Sequence, residues 1–130
     1  MADVFISSSV EDRLRVTAIT KELEALGVTV WKDQDIRAGE NWVETMDTAL
    51  RDAKVMVLCI TPRFLASDWC RMEIGVALSR AKAGEGRMMP VLLSDAPHSS
   101  LLERFQTLDA RELPAQAIAA NIKRALEADA

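Results

Sequence analysis

Val55-Met56-Val57-Leu58-Cys59-Ile60, preceded by Lys54, is apolar at every position. A strand with one wet face alternates apolar and polar residues, whereas a strand covered on both faces does not. This run therefore predicts a strand inside a parallel sheet with helices above and below it. Thr61-Pro62 ends the run. Upstream, Trp42, Met46, Ala49 and Leu50 fall at the i, i+4, i+7, i+8 spacing of a helix with one apolar stripe. Downstream, Ser67 suits the N-cap of a helix from Asp68 to about Lys82, and Asp68 suits the positive end of that helix. Ala83-Gly84-Glu85-Gly86 breaks this helix, and Met88 to Leu93 reads as another buried strand.

The same alternation continues outward in both directions. Asp3 to Ser7 is a short apolar strand, and Val10 to Leu26 is a helix with Val16, Ile19, Leu23 and Leu26 on one stripe. Ser9 followed three residues later by Asp12 resembles a capping box, and Gly27 stands where a helix end wants positive φ. Val28 to Trp31 is a second strand, and polar Lys32 to Glu40 is a loop. Toward the C-terminus, Leu101 to Leu108 holds a short strand near Phe105, and Pro114 opens a helix carrying Ile118, Ile122 and Leu126. Strands separated by helices imply right-handed crossovers and a parallel sheet. The expected class is α/β: a flavodoxin-like, doubly wound, five-stranded parallel sheet with helices on both faces. A site in such a fold lies at the carboxyl ends of the strands, near the switch in strand order. Three segments meet there: Ser7-Ser8-Ser9, the Lys32–Glu40 loop, and Thr61–Ser67 with the helix that follows.

The chain has 130 residues, which fits one domain over residues 1–130. Its composition, 49% apolar and 28% charged, is that of a globular domain and excludes a disordered tail or a disulfide scaffold. No apolar run approaches the roughly 20 residues that span a bilayer. The first residues carry neither a basic leader nor a long apolar stretch, so a cytoplasmic protein without a membrane partner is expected. The net charge of −4, with no cluster of Lys and Arg, argues against a nucleic-acid partner. Cys59 and Cys70 read as small buried hydrophobes, and no metal site is expected from two cysteines and His98, which sits on a Pro/Ser-rich loop.

The loop residues exclude several occupants of this architecture. A phosphoacceptor receiver needs acidic residues after the first strand and an Asp after the third, where this chain has Ser7-Ser8 and Thr61-Pro62. Neither GxGxxG nor GxxxxGK[ST] occurs. On the third helix, Cys70, Ile74, Ala77 and Ala81 point within about 30° of one direction, the core face. Trp69 and Glu73, at i and i+4, lie together on the shoulder of that face. One reading is a half-buried Trp beside a solvated Glu. The other is a partly desolvated carboxylate that stabilises a cation formed in a transition state. Loss of nicotinamide from NAD+ is a reaction of that kind, because its leaving group needs no protonation.

Asp3-Val-Phe-Ile-Ser7, Val30-Trp31-Lys-Asp33 with Gly39 beyond it, and Ser67-Asp-Trp69-Cys70-Arg-Met-Glu73 resemble, in order, the motifs of a TIR (Toll/interleukin receptor) domain of the bacterial NAD-cleaving type. The resemblance spans about residues 3–128, and Ser-x-Trp-Cys-x-x-Glu is its most specific part. It implies an NAD+ glycohydrolase that releases nicotinamide and leaves ADP-ribose or a cyclic isomer. Glu73 is then catalytic, Trp69 lines the pocket, and Ser7, Ser8 and Asp33 face the substrate. NAD+ is the substrate and no cofactor is expected. The resemblance further implies self-association through contacts that include the Asp33–Gly39 loop, and a fused or separate sensor domain, as in bacterial antiviral defence. The alternative is a scaffold whose role is homotypic assembly. A third reading is a nucleoside-processing transferase of related fold. Ser8 departs from the aromatic or histidine common in the family, and Phe105 stands without the late Phe-Trp motif of animal receptors. Outside the motif, Trp31 and Trp42 read as core, Asp33 and Asp35 as turn caps or pocket gates, and Arg63 and Arg71 as exposed arginines rather than pyrophosphate contacts.

Overall fold

A computed structural model describes residues 2–32, 48–95 and 107–128. Five strands form one sheet: β1 (Val4–Ser7), β2 (Val30–Lys32), β3 (Val55–Ile60), β4 (Arg87–Leu92) and β5 (Leu108–Asp109). Their order is β2-β1-β3-β4-β5, and every neighbouring pair is parallel. This is the expected doubly wound sheet. The chain leaves β1 toward one edge, returns to β3 on the other side of β1, and so sets the switch in strand order between β1 and β3.

All six residues of β3 and all four of β1 are buried, because helices cover both faces. Side chains alternate between the faces. Val4 and Ile6 of β1, with Val55, Val57 and Cys59 of β3, pack with Val16, Ile19 and Leu23 of α1 (Arg13–Ala25) and Ile118 and Ile122 of α4 (Ala115–Ala128). Phe5, Met56, Leu58 and Ile60 join the other layer, with Phe64 of α2 (Pro62–Ala66) and with Cys70 and Ala77 of α3 (Asp68–Lys82). The expected core face of α3 is therefore observed, and both cysteines are buried thiols. Trp31 stacks on Phe5, ring centroids 4.9 Å apart and planes 14° from parallel, in keeping with its reading as core.

The first helix differs from its sequence-based outline. It begins as a 3-10 turn at Val10–Asp12 before α1 starts at Arg13. The Ser9 hydroxyl accepts from the Glu11 amide at 3.3 Å, one residue earlier than a capping box would have it, and the Asp12 carboxylate turns away toward Thr61 and Arg63. The helix ends as expected at Gly27, whose φ is +83°. The Gly27 amide bonds to Glu24 O and the Val28 amide to Leu23 O, both at 3.0 Å, while Leu23 and Val28 share a core cluster. That is a complete Schellman closure.

Helix α2 was not expected. Thr61 caps it by accepting from the Phe64 amide at 3.1 Å, and Pro62 occupies its first turn, where a missing N–H costs nothing. The α3 cap is as expected: Ser67 Oγ accepts from the Cys70 amide at 3.3 Å. Residues 48–52 are helical, with Ala49 and Leu50 buried. The last strand, Leu108–Asp109, begins only at the final residue of the predicted range and runs beyond it, three residues past Phe105, whereas Leu126 packs against the core as expected. Trp42, Met46, His98, Phe105 and the Asp33–Gly39 loop with Asp35 lie outside the described residues. Among the described residues, no helix is long and apolar enough to cross a membrane.

Gly75 sits in the middle of α3, and a Cβ built on it meets nothing within 4 Å. A mid-helix glycine costs about 0.5–1 kcal/mol relative to alanine. Gly75→Ala is therefore expected to stabilise the domain by about that amount. Urea unfolding checks it: the midpoint rises while the slope stays constant.

Candidate active site

Period-two alternation puts Ser7 on the same face of β1 as Phe5, which is the α3 face. From α3, Glu73 reaches the same place. Its direction lies ~60° from Cys70 and ~40° from Ala77 by helix geometry, so it flanks the buried stripe. The Ser7 hydroxyl donates to Glu73 Oε1 at 2.6 Å, across 66 residues of sequence. Both side chains are wholly buried, at 0% exposure. The sequence placed Glu73 on a half-desolvated shoulder, and the structure places it deeper. A carboxylate is costly to bury without hydrogen bonds, and the β1 hydroxyl helps to satisfy it.

Ser8 is also buried, directly after the end of β1. The backbone of Trp69 lies in the first turn of α3, but its side chain and all of Asp33 lie outside the described residues. The structure thus brings Ser7 and Glu73 into contact and places Ser8 beside Ser7 in the chain.

A second polar cluster lies at the same carboxyl end. Thr61 Oγ1 donates to Asp12 Oδ2 at 2.7 Å, and the Arg63 guanidinium donates to Asp12 Oδ1, with Nε at 3.2 Å. Hydrogen bonding to Asp12 raises the Arg63 pKa further above its ordinary value. These bonds tie the turn after β1 to the turn after β3 across the switch point. They also engage Arg63 with protein carboxylates, and Arg71 Nε donates to Leu65 O at 2.8 Å. The sequence put Thr61 in a segment that meets at this end, but it read Asp12 only as a capping partner of Ser9 and did not join the two. Their contact spans 49 residues, so no local spacing signals it.

A cavity of about 1170 Å3 lies at the opposite end of the sheet, lined by Lys54, Arg87 and Arg124 among others. In a parallel sheet, helix C-termini gather at that end, and arginines there serve backbone carbonyls. Arg80 donates to Arg51 O at 3.0 Å, and Arg87 to Ala125 O at 3.5 Å. The Ser7–Glu73 contact lies at the other, carboxyl end of the strands. Among the described residues, no group of His, Cys, Asp and Glu is placed to hold a metal ion.

Arg111 donates to both carboxylate oxygens of Asp109, from Nε at 2.9 Å and Nη2 at 2.7 Å. These bonds lower the Asp109 pKa from 3.8 to about 2. The contribution of the pair to stability is therefore complete above about pH 4 and lost as the pH falls through about 2. An NMR carboxyl titration is expected to show the low midpoint, and Arg111→Ala to return it toward 3.8.

Residues 4–126 match the TIR domain family. The chain is 29% identical over 91 residues to the 2′ cyclic ADP-D-ribose synthase AbTIR of Acinetobacter baumannii, a match covering 68% of this chain and 34% of that protein. It is 29% identical over 89 residues to the NAD(+) hydrolase TcpC of Escherichia coli, covering 67% of this chain and 29% of that one. The chain thus spans about a third of each relative's length. In fold it resembles the crystal structure of the TIR domain of the Toll-related receptor TRR-2 from Hydra magnipapillata. The TM-score is 0.82 at 20% identity, over 98% of this chain and 99% of that one.

Proposed function

The chain belongs to the TIR domain family, and from that premise we propose that it is an NAD+ glycohydrolase with Glu73 as its catalytic residue. The observation that carries this reading is the buried Ser7–Glu73 contact at the switch point. The names of two bacterial relatives, an NAD(+) hydrolase and a 2′ cyclic ADP-D-ribose synthase, support it.

The nicotinamide ring of NAD+ is positively charged and leaves as a neutral molecule. The electron pair of the bond between ribose C1′ and nicotinamide N1 departs with the ring, so positive charge develops on the ribose. A dry carboxylate stabilises that charge far better than it would in water. Water then adds to C1′ and a proton is released, giving ADP-ribose; attack by another group of the same molecule gives a cyclic isomer. NAD+ is substrate here, and the reaction as written needs no cofactor. Trp69, Ser8 and Asp33 complete the substrate side. Self-association through the Asp33–Gly39 loop switches the enzyme on in the cytoplasm, under a fused or separate sensor, in a defence role.

The test is nicotinamide release from NAD+ by wild-type protein and Glu73→Ala, at high concentration and again on artificially clustered protein. Release that vanishes in the variant, with a rate rising more steeply than linearly in protein concentration, is the expected result. Silence of the wild type in both conditions would overturn the enzyme in favour of the scaffold. Turnover of free nucleosides without NAD+ would favour the transferase.

A further inference from the structure

We infer that Ser7 is a positioning residue for Glu73, its hydroxyl proton committed to that carboxylate rather than to a substrate oxygen. This inference rests on the NAD+ glycohydrolase reading above and revises the part that the family resemblance implied for Ser7.

Ser7 is the last residue of β1, and its backbone is paired in register with Leu58 of the fully buried β3. Its Cα is therefore fixed by a central strand. Its side chain is wholly buried, and its one hydroxyl proton is directed to Glu73 Oε1 at 2.6 Å. A hydroxyl has a single proton to donate, so Ser7 cannot donate to a substrate hydroxyl while it donates to Glu73. Glu73 is likewise borne on a rigid element, nearly two turns beyond the Ser67 cap of α3. Two rigid elements joined by a short hydrogen bond hold one carboxyl oxygen in place, and that is the support a charge-stabilising group needs.

The bond has one further consequence. Glutamate has three rotatable side-chain torsions, and in a buried site each alternative rotamer moves the charge by more than an ångström. A misplacement of about 1 Å at a reacting centre can cost on the order of a hundredfold in rate. The carboxylate is used in the transition state, whereas substrate binding draws on other contacts. Loss of the Ser7 hydroxyl therefore falls on kcat, with KM nearly unchanged. A serine that contacts substrate would give the opposite division.

The experiment runs wild type, Ser7→Ala, Ser7→Thr and Glu73→Gln side by side, measuring nicotinamide release over a range of NAD+ concentrations. Ser7→Ala is expected to lower kcat by about ten- to a hundredfold and to change KM less than about twofold, and Ser7→Thr, which restores the hydroxyl, to recover most of kcat. A raised KM with kcat intact, or full activity in Ser7→Ala, overturns the inference while the glycohydrolase stands. A wild type that releases no nicotinamide, clustered or not, overturns the reading beneath and the inference with it. A measurement free of turnover guards against a variant that folds poorly. The 13C carboxyl resonance of Glu73, assigned by its loss in Glu73→Gln, is expected to move in Ser7→Ala and to stay near its wild-type position in Ser7→Thr. A resonance unmoved in Ser7→Ala overturns the inference.

Discussion

Glu73→Gln is expected to cut nicotinamide release at least a hundredfold and to leave the thermal midpoint unchanged or raised. The two effects have one cause. The amide keeps the volume and the acceptor oxygen of the carboxylate, so the Ser7 hydroxyl still has a partner, but the charge is gone. Removing one preorganised group that meets developing charge costs about 10²–10³ in rate, or about 3–4 kcal/mol of the barrier. In the resting protein Glu73 is wholly buried, a place where a charge is costly to hold. Taking an ion out of water costs several kcal/mol, a cost that the neutral amide of the same shape does not carry. A residue kept for structure alone would show the reverse pattern, with the midpoint falling by several degrees and turnover kept. That outcome would remove Glu73 from the chemistry. Glu73→Ala is a poorer discriminator, because it also opens a cavity beside Ser7 and so lowers stability for an unrelated reason.

The architecture was legible because it rests on local periods. Six consecutive apolar residues in β3 announce a strand covered twice, and that alone implies helices on both faces. Ser67 and Gly27 act within one or two turns of themselves and the Cys70–Ala81 stripe within one helix, so spacing reveals them. Depth was less legible. Helix geometry gives the direction of Glu73 but not how far the opposing strand rises to meet it, and here the end of β1 brings the Ser7 hydroxyl within 2.6 Å. The Asp12–Thr61–Arg63 cluster was not legible, because its bonds join turns 49 to 51 residues apart. The sequence offered Asp12 a local partner at Ser9, and the tertiary partners won: a threonine hydroxyl and an arginine outbid one backbone amide. Helix α2 did leave a signal in Thr61-Pro62, a cap residue followed by the residue best suited to a first helical position. The same dipeptide also ends a strand, and at this place it does both.

Phe5→Ala is expected to cost the domain about 3–5 kcal/mol, the range for truncating a buried aromatic side chain. Phe5 is at 0% exposure in β1, and its ring is stacked on Trp31 of β2. Strand β1 is the hinge of the topology, with β2 on one side and β3 on the other. The loss would thus empty the α3-side core layer and loosen the hold on an edge strand of only three residues. Against a total stability of about 5–15 kcal/mol, one such change brings the fold near its limit. Phe5→Leu keeps most of the volume and is expected to cost less than half as much. Urea unfolding of the two variants beside wild type measures this, as a fall in midpoint at constant slope. A cost below about 1 kcal/mol for Phe5→Ala would mean that the layer between β1 and α3 is not packed as described. The same layer carries the site, since Ser7 follows Phe5 by two residues and faces the same way. Nicotinamide release by Phe5→Leu, if the fold survives, is therefore expected to fall through kcat and in the same direction as in Ser7→Ala. Packing beneath the strand and the hydrogen bond at its tip act on one quantity, the position of the Glu73 carboxylate.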